Sequence, residues 1–161
     1  MEDEIAAFMI KAAKFEFYLV NRDLALAHIE VVRGLCLVTG VNWAIVAKYI
    51  EAKHPFKDFD FERYGFEMFR NTAPQYLVMK KHDGRLHWDS DNVKIDSWEQ
   101  LLARGYSQFR NNIAHGNKSQ LLAPFTEGRT QEFLSAAHLL IDFITRDVFD
   151  TPNWDSGLMF Q

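Results

Sequence analysis

Apolar residues at helical spacing constrain this chain more than any other feature. Ile5, Phe8, Met9, Ala12, Phe15 and Leu19 recur every three or four positions, the period of an amphipathic helix, so residues 3–20 are predicted helical. Leu24, Ala27, His28, Val31, Val32, Leu35 and Val38 keep the same period, which predicts a second helix closed by Gly40. Asn42 can cap a third helix reaching about Lys53, and Asp60 a fourth carrying Phe61, Tyr64, Met68 and Phe69. Ser97-x-x-Gln100 is a capping-box pattern that opens a helix running to His115, with Gly116 as its stop. The last helix covers about 127–149, with Phe133, Ala136, Ala137, Leu140, Ile141, Ile144 and Val148 on one stripe. Pro55, Pro74, Pro124 and Pro152 fall between these stretches, where helices should end. No alternating pattern argues for a sheet; Val93-Lys94-Ile95 is the one short strand candidate. The expected fold is therefore all-α, an up-and-down bundle of five or six helices over residues 1–150. A tail, 151–161, follows, with Trp154 and Phe160 available to dock.

The chain is 161 residues, 48% hydrophobic and 25% charged, a balance that allows a packed core and excludes the disordered class. Its 14 phenylalanines suggest a surplus for an oligomer interface. No apolar run approaches the ~20 residues that span a bilayer, and the acidic start Met1-Glu2-Asp3-Glu4 is wrong for a secretory signal. A single cysteine, Cys36, has no internal disulfide partner. Its setting, Leu35-Cys36-Leu37-Val38, predicts a buried, inert thiol. A cytoplasmic protein with no membrane contact is expected.

The net charge of −4 excludes attraction to nucleic acid over the whole surface. The distribution is more telling. From Gln100 to Thr126 there is no Asp or Glu, while Arg104, Arg110 and Lys118 are present. Within that stretch lies Arg110-Asn111-Asn112-Ile113-Ala114-His115, an Arg-x4-His string at a helix end. On an ideal helix Trp98, Leu101, Leu102, Tyr106, Phe109 and Ile113 share the core face. Arg110 lies on its flank, and Asn111 and His115 sit roughly 40° apart on the side away from it. Arg110 and His115 are roughly 140° apart, a gap that a long guanidinium, a frayed last turn or a two-fold axis would close.

These residue types suit phosphodiester cleavage. A His with an ordinary pKa near ~6.5 moves protons at neutral pH. An Arg stays charged and holds phosphate through two hydrogen bonds, and an Asn can fix a His tautomer. In RNA the 2′-hydroxyl is an internal nucleophile, so no metal is required. The plainer account is that cations near a helix C-terminus interact well with its dipole, by ~0.3–1 kcal/mol each. Arg22-x5-His28 matches the same loose spacing, and His28, on an apolar stripe, reads as a core or groove histidine.

Elsewhere, His82, Asp83, His87, Asp89 and Asp91 cluster in a polar stretch, 81–96, without zinc or calcium spacing. No metal or cofactor is expected. Trp88 there could stack on a base; covering apolar surface is the simpler reading. Glu30 and Arg33 read as a surface salt link.

The Arg110-to-His115 string resembles the signature of the HEPN ribonuclease family, an Arg, a polar residue, and a His after four to six positions, late in an all-α chain of this size. The resemblance implies a homodimer with paired motifs in a shared cleft. It implies metal-independent cleavage of RNA to a 2′,3′-cyclic phosphate, often in toxins or in defence, with an antitoxin protein as a partner. Arg110 would contact the phosphate, His115 would transfer protons and Asn111 would position one or the other. Arg104, Lys118 and Asn112 would be flanking RNA contacts. Some members have lost catalysis and only bind nucleotides or partners.

Overall fold

The stripe from Phe8 to Leu19 lies buried along one side of a long first helix, α1 (Glu2–Arg22). Glu2, Asp3 and Glu4 occupy its first turn and Arg22 its last, each sign matching the helix dipole. The computed structural model describes residues 1–79, 81, 82, 84–89, 94–114 and 127–156. Over these the fold is mostly helical, with two small hairpins.

The predicted second helix is not formed. After a short 3-10 turn, Leu24–Leu26, the chain enters an antiparallel hairpin of β1 (Ala27–Val32) and β2 (Leu35–Val41). Its two-residue turn is Arg33-Gly34, with φ of 51° and 80°. Positive φ at both central positions matches the turn to the twist of the strands, and Gly34 takes that conformation at no steric cost. Thr39 is an extra residue in the ladder, since His28 pairs with Gly40 and Ile29 with Val38. Ile29, Val31, Val32 and Val38 are β-branched, and this run favours strand over helix.

Helix α2 (Trp43–Lys53) starts as predicted, with the Asn42 Oδ1 accepting from the Ile45 amide at 3.3 Å. The fourth predicted helix is two short ones, α3 (Phe61–Tyr64) and α4 (Glu67–Asn71). They divide at Gly65, whose φ of 78° ends the first. A second hairpin pairs β3 (Tyr76–Met79) with β4 (Leu86–Asp89), and β4 stands inside the stretch 81–96 that was expected to be polar and irregular. Lys94 and Ile95 are not in a strand, and Val93 lies outside the described residues.

Helix α5 spans 98–114. The Ser97 Oγ accepts from the Gln100 amide at 3.2 Å, and the Gln100 Oε1 accepts from the Asp96 amide at 3.0 Å. Its middle, Leu101–Ser107, widens into π-helical turns. Helix α6 spans 127–148 and ends in similar turns at Phe143–Val148. Both keep their predicted apolar stripes buried.

α1, α5 and α6 pack together. Phe8 meets Tyr106 and Phe109, and Phe109 stacks on Phe133. A second aromatic group gathers Phe56, Phe59, Phe61, Phe66 and Phe143 round Trp98. The indole N–H of Trp98 donates to the His54 carbonyl at 2.7 Å. The phenylalanine surplus is thus spent in the core: among those described only Phe17 is exposed. Trp154 docks against Phe15 and Tyr18, whereas Phe160 lies outside the described residues. Among the described residues no helix is long and apolar enough to cross a membrane.

Candidate functional site

The last turns of α5 carry the motif, and α1 supplies what the sequence did not reveal. The guanidinium of Arg110 meets the carboxylate of Glu16 side-on. Nε donates to Oε1 at 2.9 Å and Nη2 to Oε2 at 3.1 Å. The other terminal nitrogen, Nη1, donates to Oδ1 of Asn111 at 2.7 Å. Among the described residues three of the five N–H donors of the arginine are so engaged. Both ion-pair side chains are about a quarter exposed, Arg110 at 27% and Glu16 at 23%. The guanidinium is therefore fixed in place yet open to solvent.

Glu16 sits beside the buried stripe of α1, next to Phe15 and between Ala12 and Leu19. Burial raises its pKa, and the charge and hydrogen bonds of Arg110 pull it part of the way back. Behind the pair lies Tyr106, fully buried one turn before Arg110. Burial and the Glu16 charge push the Tyr106 phenol well above its ordinary value, against the pull of Arg110. Its hydroxyl has no hydrogen-bond partner among the described residues. Trp43, the first residue of α2, closes the group, its ring 5.5 Å from that of Tyr106 and 6.3 Å from Phe15. The root of the first hairpin is therefore beside the Arg110 cluster.

Asn111 is half-buried and joined to Arg110. Asn112 does not face outward. It is 2% exposed, its amide donates to the Gln75 carbonyl at 2.7 Å, and its oxygen accepts from Gln108 at 2.8 Å. It ties α5 to the segment entering β3, so its side chain is spent inside the fold rather than offered at the surface. Arg104 is partly buried earlier on the same helix. His115 and Lys118 lie outside the described residues.

The decoy histidine also moves. His28 is exposed on β1 rather than in a core or groove, with its Nδ1 at 2.8 Å from the Thr39 hydroxyl. Cys36, expected to be buried, is exposed on β2. Both follow from the hairpin, which lifts these residues off the body. Among the described residues no group of three or more His, Cys, Asp or Glu is placed to hold a metal ion; Asp83 and Asp91 lie outside them. An open groove of about 690 Å³ between α4 and α6, lined by Met68, Asn71, Gln131 and Ser135 among others, holds none of the predicted site residues.

Glu16 and Tyr106 are the functional candidates that the sequence reading missed. Glu16 carried one signal: a carboxylate bordering an apolar stripe needs a cation to face. Tyr106 reads only as core. No family model, no curated protein and no solved structure matches the chain.

Proposed function

We propose that this protein is a metal-independent endoribonuclease of the HEPN type, acting in the cytoplasm as a homodimer with its motifs paired in one cleft. The 2′-oxygen of the substrate attacks the adjacent phosphorus and the bond from phosphorus to the 5′-oxygen breaks. The products are a 2′,3′-cyclic phosphate and a 5′-hydroxyl. The 2′-hydroxyl gives up a proton and the departing 5′-oxygen gains one, and His115 is the residue assigned to proton transfer. Arg110 offsets the charge that builds on the phosphate oxygens, and Asn111 keeps its guanidinium in place. A role in toxicity or defence, and an antitoxin protein as partner, belong to the same reading.

The observation that carries it is the anchored guanidinium. Among the described residues Glu16 and Asn111 fix Arg110 through three of its five donors, with the side chain 27% exposed. A cation held in one orientation loses little entropy on gripping a phosphate. The acid-free stretch 100–126 flanks Arg110 on both sides in the sequence, which favours an anion near it.

A second reading rests on the same ion pair. Glu16 already neutralises Arg110, which suits a non-catalytic module of the same type that binds RNA, a nucleotide or a protein. Cleavage of a labelled RNA by the wild type and by His115→Ala separates the two readings, since only the enzyme depends on that histidine for turnover.

A further inference from the structure

A smaller cavity, of about 350 Å³, lies where α1 ends, and Arg22, Asp23, Leu26, Tyr49 and Phe149 line it. That volume is at the lower end of small-molecule sites, about 300–1,000 Å³, and suits one ring system. Its apolar part is Leu26, fully buried, Phe149, 4% exposed, and the ring of Tyr49, 43% exposed. The two aromatic rings stand 5.5 Å apart and are tilted by 43°. A ring held between them would need about 7 Å, two contact distances, so a bound ring lies against the exposed part of Tyr49. The polar part is one cation and one carboxylate. The Arg22 guanidinium sits 5.0 Å from the Phe149 ring centroid, and its Nη1 donates to the Tyr18 and Thr151 hydroxyls at 3.4 and 3.2 Å. Among the described residues Arg22 makes no ion pair. Asp23 accepts from the Ala25 amide through Oδ1 at 2.9 Å and from the Tyr49 hydroxyl through Oδ2 at 3.1 Å.

We infer that this cavity binds a nucleobase, and guanine before the other bases. The exposed Tyr49 ring offers a stacking surface, which any planar base accepts. Arg22 and Asp23 carry opposite charges, so the lining is neutral and suits a neutral ring better than an ion of either sign. Arg22 only donates and an ionised Asp23 only accepts. The ligand must therefore show acceptors on one edge and donors on the next. Guanine alone of the common bases shows an adjacent pair of each: O6 and N7 accept, and N1–H and the 2-amino group donate. Both polar side chains are held before a ligand arrives, Arg22 by Phe149, Tyr18 and Thr151, and Asp23 by Ala25 and Tyr49, so binding orders little. The site is separate from the Arg110 cluster. Glu16 faces α5, whereas Arg22 leans on the turn that follows α6. The inference does not rest on the cleavage proposal, because a nucleoside carries no phosphate for Arg110 and its binding is read without turnover.

The test is titration of guanosine, adenosine, cytidine and ribose into the full chain, followed by amide chemical shifts, with circular dichroism on each variant. Guanosine should bind saturably, adenosine and cytidine about tenfold more weakly, and ribose not at all. The shifts should centre on Leu26, Tyr49 and Phe149 and spare Tyr106 and Asn111. Tyr49→Leu should weaken guanosine binding by about tenfold or more through lost stacking, with the fold intact because the ring is 43% exposed. Tyr49→Phe keeps the ring and should keep the affinity. Asp23→Asn, which still caps the turn that follows, should level guanosine with adenosine. A short 2′-deoxy oligonucleotide with one guanine among thymines, which cannot be cut by 2′-oxygen attack, tells the sources apart. Displacement of guanosine by it supports a base carried in a strand; guanosine binding that it leaves in place supports a free nucleoside. Absence of saturable guanosine binding overturns the inference. So do equal affinities for the three nucleosides, a Tyr49→Leu protein that binds as tightly as wild type, or shifts centred on Asn111.

Discussion

Arg110 and Glu16 stand 94 residues apart in sequence and meet through two parallel hydrogen bonds, of 2.9 and 3.1 Å. The pair joins α5 to α1 at the edge of the core. Removing one member leaves the other as a half-buried charge without its counter-charge, at a cost of about 1–3 kcal/mol. Arg110→Ala should therefore lower the melting temperature, at about 2–4 °C per kcal/mol for a chain of this size. Glu16→Gln, which mimics the neutral carboxyl that burial favours, should cost less. The double variant should lose less than the sum of the two. Strict additivity in thermal melts would show that the pair contributes nothing.

Glu16 also fixes the sign of a pH effect. Its pKa is raised in the folded protein, mainly by burial, so between the ordinary carboxyl value and the raised one the folded state holds more protons than the unfolded. Stability contributed by this group is then fully present below the unfolded pKa and is lost as pH rises through the folded pKa. Glu16→Gln removes that slope. Urea unfolding of both proteins from pH 4 to 7 should show the wild type losing ground to the variant as pH rises. A difference between them that is constant with pH, or of opposite slope, contradicts the burial account.

Gly105 tests the packing behind the site. A Cβ at this position would lie 3.0 Å from Cδ1 and 3.3 Å from Cβ of Phe69, a fully buried ring with little room to move. Alanine gains up to about 1 kcal/mol in helix propensity. Overpacking of a rigid core costs about 1–3 kcal/mol, so the clash should win. Gly105→Ala is expected to be destabilised in urea titration, and a more stable variant would show that α5 slides freely on α4.

The helices that build the site were legible because two independent signals agreed. In α5 the Ser97 cap marks the start and six apolar positions mark one face. In α1 the stripe from Phe8 to Leu19 is unbroken. The hairpin was not legible from period alone. Leu24, Ala27, Val31, Leu35 and Val38 fit a helical stripe, and a short apolar run suits either element. The discriminating features were the Arg33-Gly34 pair and the β-branched run from Ile29 to Val32, which carry turn and strand preferences that a stripe count ignores. Asn112 was misplaced for another reason. An ideal helix already puts it on the core face, between Leu101 and Trp98; its polar side chain read as a solvent-side contact, whereas its burial is met by bonds to Gln75 and Gln108. The Glu16 contact is long-range, and no local pattern records which cation a carboxylate will meet.

The most direct test of the central claim is cleavage of a labelled single-stranded RNA, read on a denaturing gel with EDTA present. The wild type should cut it and leave a 2′,3′-cyclic phosphate, and a 2′-deoxy substrate should resist. His115→Ala should reduce the rate by ~10²–10⁴-fold, the usual contribution of one acid–base group. Arg110→Ala should cripple it through lost charge stabilisation, while His28→Ala, on the exposed hairpin, should cut like wild type. Equal behaviour of wild type and His115→Ala on every RNA tried would contradict the enzyme and leave the binding module in its place.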